Sequence, residues 1–356
     1  MEKNRLGIFI AIAYGVSAVM SMFLVIANRN GVDASNLVSA QMMYPACGVI
    51  LGKLLIKKEG EKLPVAGYIT VLITSALMLI GGALSVFIKL PMIDMGEAAG
   101  QVDPWSLICQ IPIIFGSIVA YILFWACGKE AADNSGVRRK NIKTSIIMIV
   151  IFMVLYMGRD IASIFVDDFM TGTTESRDEF MALFTNPMFY ITAVTLPINY
   201  FMVFIAFFGE EYGWRYYLQP VMQNKFGKRA GVLLLGLVWA VWHINIDFMY
   251  YTKDTPVQMF MAQIVTCVSI GVFFGYAYMK TGNIWVPVIM HFLNNNLIAV
   301  LAAGDTSVIQ NQSVTWIDIP LHLLISIPFI LFIFAPIFNE DSKTQVPELE
   351  KVSTEE

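Results

Sequence analysis

Six residues in the second half of the chain have types and spacings suited to acid–base chemistry on a carbonyl: Glu210, Glu211, Arg215, His243, His291 and Asn295. The run FFGEEYGWRYYLQP places the first three on one helix. Glu211 and Arg215, four apart, share a face with the acid towards the N-terminus, which is the favourable order for an ion pair. At 3.6 residues per turn Glu210 projects about 100° away and is free to face another element. The alternative for this segment is an interfacial helix, with Tyr212, Trp214, Tyr216 and Tyr217 as an aromatic belt and the charges in headgroup water. Next, LVWAVWHINIDF sets Trp239, His243 and Asp247 at successive spacings of four. The turn between these two segments falls at Phe226-Gly227, flanked by Lys225 and Lys228. Glu210 lies 16 residues before Phe226, and His243 lies 16 after Gly227. If both helices run unbroken to that turn, the carboxylate and the imidazole sit at the same depth and can form an acid–base pair. In VPVIMHFLNNNLIAV, Asn295 follows His291 by four and Asn294 by three. A His and an Asn on one face suit hydrogen-bond donation to a developing negative charge, with interhelical hydrogen bonding as the plainer reading.

The elements that must position these residues follow from composition. The chain has 356 residues, 57% apolar and 14% charged. Its mean hydropathy is +0.66. An ordinary soluble domain is about 45–50% apolar and about 25% charged. A soluble enzyme and a disordered chain are therefore excluded. A net charge of -4 without a basic face excludes a nucleic-acid partner. A bilayer core needs roughly 20 apolar residues in a helix. Ten stretches qualify: 7–27, 35–56, 65–90, 107–127, 144–165, 189–208, 230–250, 257–279, 284–303 and 317–337. The fold class expected is all-α, a polytopic transmembrane helical bundle. The first stretch is too long for a signal-peptide core and is read as a retained span. Lys and Arg concentrate in alternate loops: Lys3 and Arg5; Lys57, Lys58 and Lys62; Lys129, Arg138, Arg139, Lys140 and Lys143; Lys225, Lys228 and Arg229. Loops 91–106 and 166–187 are acidic instead. That bias predicts both termini on the cytoplasmic side of a cell membrane.

Polar residues inside spans cost about 2.5–3.5 kcal/mol each to insert, so those that occur are functional candidates. They concentrate after residue 188. The chain is accordingly divided into N-terminal spans of unassigned role (1–187), a core (188–303), a last span (304–337) and a polar tail (338–356) expected to be disordered. His322 is read as structural, Arg159 with Asp160 and Lys53 as side chains reaching for the interface, and Cys47, Cys109, Cys127 and Cys267 as inert thiols with no metal or disulfide spacing.

The three motifs E-E-x-x-x-R (Glu210, Glu211, Arg215), aromatic-x-x-x-H (Trp239 to His243) and H-x-x-x-N (His291 to Asn295) occur in that order on successive predicted spans. In this the chain resembles the CPBP family of intramembrane proteases, which includes the type II CAAX prenyl endopeptidases and the bacterial Abi proteins linked to bacteriocin processing and immunity. The likeness covers roughly residues 188–303. It departs from the family at Trp239, where Phe is usual, leaving pocket volume open. The resemblance implies a glutamic endopeptidase acting without a metal cofactor on a peptide or membrane-protein substrate in the bilayer. Glu210 would be the general base and His243 its partner in activating water; His291 and Asn295 would form the oxyanion site, with Glu211 and Arg215 as a supporting pair. Three other readings stay open: zinc held by Glu210, His243 and His291, although the usual H-E-x-x-H helix is absent; a non-catalytic immunity or scaffold protein; and a transporter, for which no paired broken helices are evident.

Overall fold

In the computed structural model, residues 2–96, 100–305 and 307–339 are described, and the expected polar tail falls outside them beyond Asn339. Eight helices among the described residues are long and apolar enough to cross a bilayer: α1 (Glu2–Asn30), α2 (Ser35–Leu55), α3 (Val65–Phe87), α4 (Pro104–Ala126), α5 (Ile142–Thr171), α6 (Pro187–Phe226), α7 (Lys228–Tyr251) and α8 (Pro256–Thr281). Two shorter apolar helices follow, α9 (Trp285–Leu301) and α10 (Asp318–Phe334). Each coincides with one expected stretch. A two-residue antiparallel pairing, Ile93–Asp94 with Gln101–Val102, closes the loop between α3 and α4. The chain is a multi-pass membrane protein built as a helical bundle. Its outer faces carry large exposed apolar side chains such as Phe115, Val154, Phe169 and Val194, the surface that lipid requires.

Local sequence sets the helix starts. Asp103 accepts a hydrogen bond from the Trp105 amide just ahead of Pro104, and Asn186 accepts from the Met188 amide at 2.9 Å just ahead of Pro187. Both are side-chain N-caps followed by a proline whose missing N–H costs nothing at that position.

The basic loops gather at one end of the bundle. There Glu61 accepts from Arg5 Nη2 at 2.9 Å and from Lys53 Nζ at 3.0 Å. Burial acts to raise the Glu61 carboxyl, but the hydrogen bonds and charges of Arg5 and Lys53 outweigh it and hold the group below its ordinary value. Lys53 does not reach outward as its sequence position suggests. It is buried, donating also to the Asn134 carbonyl at 2.9 Å, because the neighbouring loops bring it an acceptor and a counter-charge. Arg159 and Asp160 likewise turn to one another, 3.4 Å apart, with the guanidinium over the Tyr156 ring. An arginine is long enough to fold back on an adjacent carboxylate that its helix geometry alone would point away.

At the centre, α6 packs closely on α2 at two glycines. A Cβ on Gly209 would lie 2.6 Å from the Met43 Cα, and one on Gly213 would lie 3.0 Å from the Pro45 Cα. This Gly-x-x-x-Gly pair lets the two backbones touch, as small residues do between membrane helices. The two glycines bracket Glu210 and Glu211.

Candidate active site

Both helices of the α6–α7 hairpin leave regular geometry beside the candidate residues. A π-helical stretch, Tyr212–Leu218, follows Glu211 directly and holds Arg215; a second, Asp247–Tyr251, follows His243 closely. Such π segments recur at functional sites because they re-aim side chains. The unbroken hairpin expected from sequence is therefore interrupted in both arms. At His243 the regular helix stops: its amide bonds to the Ala240 carbonyl at 2.9 Å, three residues back. That shift releases the Trp239 carbonyl, which accepts from His243 Nδ1 at 2.9 Å. A carbonyl only accepts, so Nδ1 carries the proton and, in the neutral ring, Nε2 keeps its lone pair.

The same Trp239 reaches across the hairpin. Its indole Nε1–H donates to Glu210 Oε2 at 2.7 Å, the one protein donor to that carboxylate among the described residues. Glu210 and His243 are not bonded directly; Trp239 joins them, one through its side chain and the other through its backbone. Glu210 is 2% exposed and His243 6%.

Glu211 and Arg215 are wholly buried and paired, Arg215 Nη1 donating to Glu211 Oε1 at 3.0 Å. The same oxygen meets His291 Nδ1 at 2.8 Å. The guanidinium lies over the Trp239 ring, 4.2 Å from its centroid, and 5.1 Å from that of Phe274. Among the described residues, Arg215 Nε and Nη2 and Glu211 Oε2 have no hydrogen-bond partner, so stacking covers part of the guanidinium in place of acceptors. His291 meets the Trp239 ring edge-on at 5.5 Å and the Phe207 ring at 5.4 Å. Asn295 lies one turn further along α9, half-buried, its Oδ1 accepting from Asn294 Nδ2 at 2.9 Å. It makes no bond to Glu210, His243 or His291. The structure thus draws five of the six candidates into one cluster around Trp239, with Asn295 adjacent on the His291 helix.

Among the described residues, no three His, Cys, Asp or Glu side chains form a group that could hold a metal ion. Nδ1 of each histidine is already engaged, with a carbonyl at His243 and with Glu211 at His291. His322 bonds to Thr266 Oγ1 at 2.9 Å, on the α8–α10 contact, and takes no part. Cys267 is buried, with Sγ 4.0 Å from His243 Nδ1.

Three contributors went unread in the sequence. The Trp239 N–H, and not only its ring, touches Glu210; its signal in the sequence is a hydrogen-bond donor at the aromatic position of the second motif. The Gly209/Gly213 spacing was also present and uninterpreted. The third had no local signal: Gln41 of α2 and Asn245 of α7 form a buried reciprocal amide pair, with Gln41 Nε2 to Asn245 Oδ1 at 3.2 Å and Asn245 Nδ2 to Gln41 Oε1 at 2.8 Å. Gln41 also donates to the Trp242 carbonyl at 3.1 Å, so it grips the chain on both sides of His243.

Residues 192–297, which contain every one of the six candidates, match the family described as type II CAAX prenyl endopeptidase Rce1-like. The chain is also similar to the CAAX prenyl protease 2 of Methanococcus maripaludis, at 24% identity over 124 residues. That match covers 32% of this chain and 45% of the relative, less than half its length. No solved structure matches the chain. Through the region that holds its buried glutamates and histidines, the chain is similar to the type II CAAX prenyl endopeptidases.

Proposed function

We propose that the chain is an intramembrane endopeptidase that hydrolyses a peptide bond with water activated by Glu210 and His243, without a metal ion. The observation that carries this reading is the double grip of Trp239, which aims a buried carboxylate and a buried imidazole from opposite arms of one hairpin. Amide hydrolysis needs a base for water, donors for the oxyanion and a proton for the leaving amine. Glu210, with one oxygen held by the indole, takes a proton from water on its other oxygen. The hydroxide adds to the scissile carbonyl carbon, and Glu210 passes the proton to the departing nitrogen. His243 Nε2, with its lone pair free, accepts from the same water and orients it. His291 and Asn295 donate to the oxyanion; Asn295 Nδ2 has no protein acceptor among the described residues. Donation by His291 requires a proton on Nε2 as well as Nδ1, and the Glu211 carboxylate at 2.8 Å is the counter-charge for that form.

The family region favours a substrate with a prenylated C-terminal cysteine motif, with both termini of the enzyme on the cytoplasmic side, where the basic loops gather. The test uses purified protein in proteoliposomes and a fluorogenic peptide carrying S-farnesyl cysteine in a C-terminal CAAX sequence. Wild type cleaves, E210A and H243A each fall by at least about 10³-fold while still accumulating in the membrane, and chelator leaves the rate unchanged. If that peptide is inert, membrane peptides that build up in cells carrying E210A identify the substrate and separate CAAX-type processing from bacteriocin maturation or immunity. Full cleavage by E210A refutes the assignment.

A further inference from the structure

Resting on the reading of Glu210 as the base, we infer that Trp239 is a positioning residue whose indole N–H selects which Glu210 oxygen receives the proton. Three observations converge on it. First, the Nε1–H to Oε2 bond at 2.7 Å is the one protein hydrogen bond to this carboxylate among the described residues, so without it the side chain keeps only its packing to fix its rotation. A carboxylate has two equivalent oxygens; engaging one of them leaves the other as the acceptor, in a fixed direction. Second, the residue also holds His243 through its carbonyl, so one backbone position sets the spacing between base and imidazole. Third, the ring itself is pinned. Arg215 lies over its face at 4.2 Å, His291 meets it at 5.5 Å and Phe274 at 6.5 Å. A donor held this rigidly spends little entropy in directing its acceptor.

Phenylalanine at this position would keep most of the ring contacts and lose the donor, and this separates positioning from packing. W239F is expected to lower kcat on the farnesylated peptide by about 10–100-fold with KM within about 3-fold, the pattern for a group acting in the transition state. A second variant removes the ambiguity of size: incorporation of 3-benzothienylalanine at 239 retains the bicyclic shape and replaces N–H by sulfur. It should lose kcat to the same degree as W239F. A third readout needs no turnover. In ¹⁵N-indole-labelled protein in nanodiscs, the Trp239 Nε1–H resonance, assigned by its loss in W239F, should lie downfield and move upfield in E210A. The inference is overturned if the benzothienyl protein cleaves at the wild-type rate, or if the indole resonance ignores E210A. Cleavage that survives E210A refutes the base assignment instead, a result neither of the other two can mimic.

Discussion

Glu211 and Arg215 offer the sharpest test of how the site is held together. Both are wholly buried, 3.0 Å apart, with His291 on the same carboxylate oxygen. Two unit charges about 4 Å apart attract by about 4 kcal/mol at an effective dielectric near 20. Removing one partner forfeits that attraction and leaves the other charge buried, a cost of about 3–5 kcal/mol. E211Q strands the guanidinium, and R215M strands the carboxylate with a histidine beside it. The double variant E211Q/R215M strands nothing, so it should be no less stable than either single variant. Its coupling energy is then at least about 2 kcal/mol. R215K keeps the charge but loses the flat stack on Trp239 at 4.2 Å, and belongs between wild type and R215M. The measurement is reversible SDS unfolding in mixed micelles followed by tryptophan fluorescence, with Trp214 and Trp239 close to the pair as reporters. If the two single costs add within about 0.5 kcal/mol, the charges do not support each other and the reasoning fails.

Three further outcomes are expected. Glu61 has its carboxyl held below the ordinary value near 4.3, so its clasp with Arg5 and Lys53 stabilises the fold above that range and is lost as pH falls through the lowered value. Thermal unfolding between pH 7 and pH 3 should show a steeper acid limb in wild type than in E61Q, and equal slopes would refute the clasp. Asp247 is wholly buried with neither carboxylate oxygen hydrogen-bonded among the described residues, so D247N removes a costly group and should leave the melting temperature unchanged or raised. A fall of more than about 1 kcal/mol would mean that the carboxylate has a partner that matters. Q41L leaves the Asn245 amide and the Trp242 carbonyl without their donor or acceptor, at about 2–3 kcal/mol, and Q41L/N245L should recover part of it in the same unfolding assay.

The spans were legible because their composition has one cause: each must supply enough apolar length to replace water along a helix, and that requirement is written residue by residue. The Glu211–Arg215 pair was legible for a similar reason, since its geometry is internal to one helix. The Glu210 neighbourhood was half legible. Counting from the turn puts Glu210 level with His243, whereas the bond found is to Trp239, one turn nearer the loop. The difference arises where the count assumed uniform rise: the π stretch at Tyr212–Leu218 adds a residue to the turn, and the amide at His243 bonds three back instead of four. The first has markers that could have been read, Gly213 within the π stretch and Pro220 just after it, whose missing N–H falls opposite the Tyr216 carbonyl; the second has neither proline nor glycine beside it. The Glu211–His291 contact was not legible at all, because it depends on how α9 leans on α6, and that is decided by Phe207, Phe292 and Tyr200 packing between the two helices.

The same reasoning bears on the N-terminal helices, whose sequences match no motif. The family region ends near residue 192 on its N-terminal side, yet much of what fixes its geometry lies before that point. Trp242, adjacent to His243, donates its indole to the Ala13 carbonyl at 2.9 Å, and Tyr14 donates to the Val238 carbonyl at 2.7 Å. Phe9 packs edge-on against Trp214, one residue before Arg215. Met42, Met43 and Pro45 form the surface into which Gly209 and Gly213 fit. Most of these contacts use a backbone atom or an aromatic edge. Such partners place few demands on residue type, so many sequences can supply them provided the helix arrives in the right place. A motif search detects the residues whose chemistry is irreplaceable and is blind to those whose position alone is needed. Helices α1 and α2 are of the second kind at several of their contacts with the site; Tyr14, whose hydroxyl donates to the Val238 carbonyl, and Gln41, which offers a donor and an acceptor to Asn245, are exceptions.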